Sequence, residues 1–319
     1  MSALARDMRH TQVIKAAPEI VYDLVADVSC WPVVFGPSVL VRHLHRGPDE
    51  ERFRLWATVN GEVTNWTSRR LLDRDQRRIS FEQERSRTPI ASMGGSWAFR
   101  ELDPGVTEVT LDHRFTVVDG VDPALVAGAV DRNSISELAA LARIAELGHP
   151  IEDVIHTFED TVVLDASAAE LYDFIYHSER WPEHVPHVSR IELTEDAEGV
   201  QLMEMDTVTA GGIAHTTKSV RVCFEGTRID YKQLMPPAML FGHSGAWEFA
   251  DGRDGAVVTA RHTVAINPER AREILGADTD LADARAYLGE ALGTNSRNTL
   301  LCAVRYAAAQ PADATKSPT

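Results

Sequence analysis

Cysteine is scarce in this chain: 319 residues hold three, Cys30, Cys223 and Cys302. They are far apart and odd in number, and none forms a C-x-x-C pair. That argues against a disulfide framework and against thiolate zinc or redox motifs. It predicts free thiols in a reducing cytoplasm. No run of 18 apolar residues occurs, so no membrane-spanning helix is expected. The opening MSALARDMRH lacks the apolar stretch of a secretory signal. Basic residues are outnumbered, 32 Lys+Arg against 48 Asp+Glu, for a formal net charge of −16. Such a surface repels nucleic acid and anionic lipid, and neither is expected as a partner. No Gly-rich phosphate loop, nucleophile elbow or dinucleotide fingerprint is present, and no cofactor is expected. His43, His45, His184 and His187 fall in loop- or turn-like segments without a carboxylate pattern, so no metal site is expected.

What the chain does have is a repeat of itself. Tyr22-Asp23 recurs as Tyr172-Asp173, Trp31-Pro32 as Trp181-Pro182, and GSWAF at 95–99 as GAWEF at 245–249, each 150 positions on. Thr110 and His113 recur as Thr259 and His262, shifted by 149. Asn133-Ser134 recurs as Asn295-Ser296, shifted by 162, so the second half carries a late insertion. Matches in one order predict two copies of one fold. The expected domains are residues 1–149 and 150–309, joined near GHPIEDV. The polar end at 310–319 is expected to be a disordered tail.

Within one copy, a first strand is followed by a short helix opened by Pro18 or capped by Ser167. A Trp-Pro turn comes next, then several alternating stretches separated by Gly, Asp and Pro turns. A long helix closes each copy, near 122–147 with Ile135, Leu138, Leu141, Ala142 and Ile144 on its apolar stripe. The second lies near 279–309 with Leu292, Leu300, Leu301 and Val304. This order predicts an α+β fold of two tandem domains. In each, a curved antiparallel sheet wraps around a long C-terminal helix and leaves an interior cavity.

One strand stands out. In NWTSRRLL, at 65–72, alternation places Trp66, Ser68 and Arg70 on one face and Arg69 on the other. On most strands an arginine sits on the wet face. A dry core would penalise Arg70 without a partner, whereas a cavity for oxygen-rich ligands would use it. Arg69, Arg74, Arg77 and Arg78 form a local basic cluster, either a solvated edge or a docking patch for an acidic partner.

The order of elements resembles the helix-grip fold of START-like proteins. The Trp-Pro turn and the W-T-S-R-R strand resemble the aromatase/cyclases of bacterial aromatic polyketide synthesis, in their di-domain form. The resemblance covers about residues 8–309. It implies that a poly-β-keto chain, delivered by an acyl carrier protein, is folded in the cavity and its first ring closed and dehydrated. Di-domain members are associated with ketoreduced chains. The family's pocket arginine, serine and tryptophan fall on Arg70, Ser68 and Trp66, and further pocket aromatics on Trp31 and Phe35. A family tyrosine falls at Ser38, which removes a tyrosine acid–base role there. The carrier protein would dock at Arg69, Arg74, Arg77 and Arg78. The alternative function is a non-catalytic carrier or sensor of a hydrophobic small molecule.

The chemistry fits the residues. Methylenes between two carbonyls enolise readily, so the protein must supply one folded conformation and oxyanion stabilisation. Arg70 suits carbonyl anchoring because its planar fork stays charged. Ser68 would bond a carbonyl or water. Trp31, Phe35, Trp66 and Trp97 would shape the cavity. His113, in phase with Leu111 and Phe115, faces inward as a proton shuttle or a satisfied structural histidine. Asn133 bonds a ligand or a backbone group. In the second copy, HTTKSVRVC read with a one-residue slip aligns Ser219 and Arg221 with Ser68 and Arg70, and Thr217 replaces Trp66. With Trp181, Trp247, His262 and Asn295 these define a second pocket. The main activity is expected in the first copy.

Overall fold

Residues 5–59, 61–208 and 214–310 are described by the computed structural model. The end from 311 onward lies outside the described residues. The chain divides into two units, Met1–Ile155 and His156–Thr319.

In the first unit β1 (Arg6–Ile14) leads to α1 (Pro18–Ala26) and the one-turn helix α2 (Trp31–Val34). The strands β2 (Ser38–Arg46), β3 (Glu50–Val59), β4 (Glu62–Asp73), β5 (Arg78–Arg85), β6 (Ile90–Asp103) and β7 (Val106–Val117) follow. Then come α3 (Pro123–Ala145) and a short α4 (Ile151–Val154). The second unit repeats this with β8 (Ile155–Leu164), α5 (Ala168–Tyr176) and α6 (Trp181–His184). Its meander is β9 (Val188–Ala197), β10 (Val200–Val208), β11 (Ala214–Phe224), β12 (Arg228–Met235), β13 (Leu240–Gly252) and β14 (Gly255–Ile266). It ends with α7 (Pro268–Leu275) and α8 (Leu281–Ala309). The late insertion is thus α7, begun by the Asn267 cap and Pro268.

Each sheet is antiparallel with seven strands, ordered β1-β7-β6-β5-β4-β3-β2 and β8-β14-β13-β12-β11-β10-β9. The long helix packs against this curved surface, which is the helix-grip arrangement expected from the sequence. Local chemistry sets the helix starts. Asp122 accepts from the Ala124 N–H and Pro123 takes the first turn of α3. Ser167 with Glu170, and Asp280 with Asp283, form reciprocal caps on α5 and α8. No helix among the described residues is long and apolar enough to cross a membrane.

The repeated Gly-x-Trp has a steric cause. A Cβ at Gly95 would stand 2.6 Å from the Phe81 ring and collide with the Asp112 carbonyl, and Gly245 faces Tyr231 in the same way. Only glycine lets the aromatic side chain lie across the neighbouring strand.

Two stripe assignments need correction. Ile135 is 57% exposed and Leu301 48% exposed. Each follows an inward residue, Ser134 or Leu300, and the helical step of about 100° turns it away from the sheet. His43 and His45 lie within β2 rather than in a loop, because the β2–β3 hairpin turns only beyond Arg46.

Candidate functional site

In the first unit the sheet and α3 enclose a cavity of about 970 Å³. Trp66, Ser68 and Arg70 reach it from β4, Trp97 from β6 and His113 from β7. Trp31, Phe35 and Ser38 reach it from α2 and the start of β2, and Asn133 from α3. All nine site residues expected in the first copy therefore meet at one cavity. Its walls are aromatic: Trp31 meets Phe35 edge-on at 5.4 Å, and Phe35 stacks on Trp97 at 6.5 Å. One end lies at Val59, Glu62, Arg87–Ile90 and the first turns of α3. The other lies near Arg70, eight residues along β4 from Glu62, or roughly 26 Å at strand rise.

Arg70 is 1% exposed and points inward. Its Nε donates to Glu51 Oε1 at 2.7 Å, Nη1 to the Val25 carbonyl at 2.7 Å and Nη2 to the Ala26 carbonyl at 2.6 Å. Those two carbonyls end α1, where the helix cannot satisfy them itself. The guanidinium lies 5.1 Å from the Trp31 ring centroid and 5.6 Å from that of Phe53. Burial works against its charge and Glu51 works for it. Nη2 also lies 2.5 Å from Glu51 Oε1, so of five N–H groups one, on Nη1, remains for a ligand. Arg70 is therefore a braced cation, held rigid before any substrate arrives. Ser68 Oγ reaches the Glu82 carbonyl at 3.4 Å, a long contact that leaves the hydroxyl adaptable.

The neighbouring arginine goes the other way. Arg69 pairs with Glu50 at 2.7 Å and with Glu82 at 3.5 Å on the outer face. Arg74 pairs with Asp23 at 2.6 Å, Arg77 with Glu19 at 2.6 Å, and Arg78 donates to Ser96 Oγ at 2.7 Å.

The second unit repeats the brace. Gln201 lies opposite Arg221 on β10 and β11, as Glu51 lies opposite Arg70 on β3 and β4. Arg221 donates to the Ile175 carbonyl, to Tyr176 O at 3.5 Å and to Ser178 Oγ at 2.8 Å. Ile175 and Tyr176 stand 150 positions after Val25 and Ala26, so the slipped alignment gives equivalent arginines. Ser219 and Thr217 are buried beside Arg221. Trp181 and Trp247 lie in the apolar core. Asn295 is a correction: it is exposed, and Ser296 faces inward instead. The helix phase that directs Ser296 to the sheet turns its neighbour outward.

The two interiors differ at their histidines. In the second unit His262 Nδ1 meets Tyr231 Oη at 3.0 Å and His243 Nε2 at 3.1 Å, and its Nε2 meets Ser296 Oγ at 2.9 Å. In the first unit Tyr231 is replaced by Phe81 and His243 by Met93. His113 Nδ1 and Ser134 Oγ are then buried without a hydrogen-bond partner among the described residues. The Phe81 ring lies edge-on to His113 at 5.4 Å. Burial, reinforced by repulsion from His10, pushes the His113 imidazole down to about 4, so it is neutral at pH 7.

Burial also pushes His243 down to about 3 and His262 to about 4. Both values lie below the ordinary value of about 6.5, so the unfolded chain takes up protons first. Their contribution to stability is complete above pH 6.5 and is lost as pH falls toward 4. The slope is up to about 1.4 kcal/mol per pH unit for each histidine. Urea unfolding at pH 7 and pH 5 should show the loss, and His262→Gln should flatten it. Equal stability at both values would contradict this assignment.

Three participants were not singled out from the sequence. Glu51 was detectable, because it keeps phase with Phe53 and Leu55 on β3 and so places a carboxylate inward. Phe53 is the ring beside Arg70. Glu137 lines the cavity one turn beyond Asn133, a spacing visible in the helix pattern.

Residues 5–146 and 164–281 each match a family described as polyketide cyclase / dehydrase and lipid transport. The chain is 51% identical over 295 residues to the granaticin polyketide synthase bifunctional cyclase/dehydratase of Streptomyces violaceoruber, covering 91% of each chain. It is 50% identical over 310 residues to the actinorhodin polyketide synthase bifunctional cyclase/dehydratase of Streptomyces coelicolor, covering 94% of this chain and 95% of that one. Among solved structures it resembles the di-domain ARO/CYC BexL from the BE-7585A biosynthetic pathway. That match has a TM-score of 0.80 and 44% identity, and covers 96% of this chain and all of that one.

Proposed function

The chain belongs to the polyketide cyclase/dehydrase family, and we propose that its first unit folds a ketoreduced, carrier-bound poly-β-keto chain and promotes closure and aromatising dehydration of the first ring. The observation that carries this reading is the difference between two copies of one fold. The first unit holds a cavity with a braced cation, a hydroxyl and an unpartnered neutral imidazole. In the second, the equivalent imidazole is bonded to its own neighbours.

The aromatic walls force the extended chain to bend, which turns a search over conformers into one reactive approach. The remaining N–H of Arg70 and the Ser68 hydroxyl meet carbonyl oxygens at the end of the cavity, where enolate charge develops. A fixed donor in a dry pocket stabilises that charge without reorganising. Neutral His113 holds a second oxygen by hydrogen bonding. The chemistry is assigned to the first unit. The free thiols suit a reducing cytoplasm. Reconstitution with a minimal polyketide synthase and ketoreductase tests the function. Adding the protein should convert shunt products into a first-ring aromatic, and an unchanged product profile would contradict it.

Arg69, Arg74, Arg77 and Arg78 form the face we assign to the acidic carrier protein. Each already touches a local acid or hydroxyl, so docking exchanges one set of pairs for another and gains little. Binding should be weak and should weaken further with salt. Arg74→Glu with Arg77→Glu should lower carrier affinity about tenfold in titrations at low ionic strength. Affinity unmoved by the double reversal would remove this surface.

A further inference from the structure

One ionisable group at the first cavity has no part in the steps above. Glu137 lies on α3, three residues after Ser134 and four after Asn133, and all three line the cavity. Its helix neighbours Val130, Leu138 and Leu141 are buried. Among the described residues Glu137 makes no hydrogen bond and no ion pair. A carboxyl in such a wall is costly unless something in the cavity uses it.

The second unit shows what a purely structural side chain does at this place. Position 299, offset by the same 162 that relates Ser134 to Ser296, is Thr299. Its hydroxyl donates to the Asn295 carbonyl at 2.9 Å and is satisfied within its own helix. The first unit has an acid there instead, and its carboxyl faces the cavity that also receives His113 and Arg70.

We propose that Glu137 is a catalytic acid–base residue that carries the proton through the aromatising dehydration. This rests on the proposed dehydration in the first unit. The carboxylate removes a proton from the ring carbon beside the carbonyl. The C–H bond breaks and its electron pair becomes an enolate, whose oxygen faces the Arg70 and Ser68 donors. As the enolate collapses, the carbon–carbon double bond forms and the C–O bond to the ring hydroxyl breaks. The carboxylic acid returns its proton to the departing hydroxide, which leaves as water. Glu137 ends as it began, and no oxidant or co-reactant is needed.

A group that must take and return a proton works best when its pKa lies near the working pH. Burial pushes the Glu137 carboxyl up to about 7. The other ionisable groups lining this cavity are Arg70 and Glu62 from β4, Arg87 from the β5–β6 loop, His113 from β7 and Arg132 from α3. His113 titrates near 4, and the arginines stay charged. A limb near pH 7 that is lost in Glu137→Gln therefore belongs to Glu137.

The test uses the full chain and a synthetic monocyclic β-hydroxy ketone thioester whose loss of water yields an aromatic ring, followed by ultraviolet absorbance. The wild-type rate should fall as pH drops below about 7. Glu137→Gln should lower kcat by about 10²-fold or more, with KM little changed and the melting temperature retained. Glu137→Asp should recover part of kcat with the pH limb displaced. A Glu137→Gln variant that keeps its rate and its pH limb overturns the proposal. Should that variant fail to fold, an undisplaced limb in Glu137→Asp overturns it equally. A wild-type protein that leaves the thioester unchanged contradicts the underlying dehydration, whereas an active wild type with an unaffected Glu137→Gln variant contradicts only the role of Glu137.

Discussion

Arg70→Ala should abolish formation of the aromatic product and remove about 3–5 kcal/mol of stability from the first unit. Both effects follow from one geometry. Removing the guanidinium leaves Glu51, itself 4% exposed, as a buried carboxylate whose one remaining side-chain partner among the described residues is His43 at 3.2 Å. It also strips the Ala26 carbonyl at the end of α1 of its donor and leaves the Val25 carbonyl to the Trp31 indole N–H at 3.2 Å. The catalytic loss has a separate origin, because the cation is the fixed charge nearest the developing enolate. A second substitution separates the two. Arg70→Ala combined with Glu51→Gln removes the stranded charge and should restore much of the stability while leaving turnover absent. The second unit already folds with Gln201 at the Glu51 position, so glutamine is acceptable there. Denaturant unfolding and product analysis on both variants check this. Wild-type product from Arg70→Ala would end its catalytic assignment.

Phe81→Tyr together with Met93→His should silence the first cavity without unfolding it. These two changes import the side chains that engage His262 in the second unit, at 3.0 and 3.1 Å. The introduced hydroxyl and imidazole would bond His113, fill space that the substrate needs and satisfy a nitrogen that is now unpartnered. The backbone permits the exchange, because Gly95 and Gly245 make the same room for the ring at positions 81 and 231. Turnover should fall by about 10²-fold or more, while the melting temperature stays level or rises. Full activity in this double variant would show that the open valence on His113 has no part in the reaction.

Much of this was legible in the sequence because the chain is written twice. The repeat placed the two arginines, and alternation on β4 put Arg70 inward and Arg69 outward. What alternation could not supply was the far end of each side chain. That Arg70 is tied to the end of α1 depends on a helix 44 residues upstream, and nothing local announces that contact. The inward phase of Glu51 was readable, but its partnership with Arg70 required the β3–β4 register. Asn295 was misplaced because equivalence to Asn133 was read from sequence identity. The two helices present slightly different faces, and one step along a helix separates the cavity from the surface. Glu137 was hidden by its type, since a glutamate on a helix is ordinarily a solvated charge.

We assign the chemistry to the first unit, against the braced Arg70, and not to its copy. A crystal structure of the full chain with a first-ring aromatic product analogue tests this most directly. The ligand should lie in the first cavity, with an oxygen within hydrogen-bond reach of Arg70 or Ser68 and the ring between Trp66 and Trp97. A ligand bound beside Arg221 in the second unit, with the first cavity unoccupied, would contradict it.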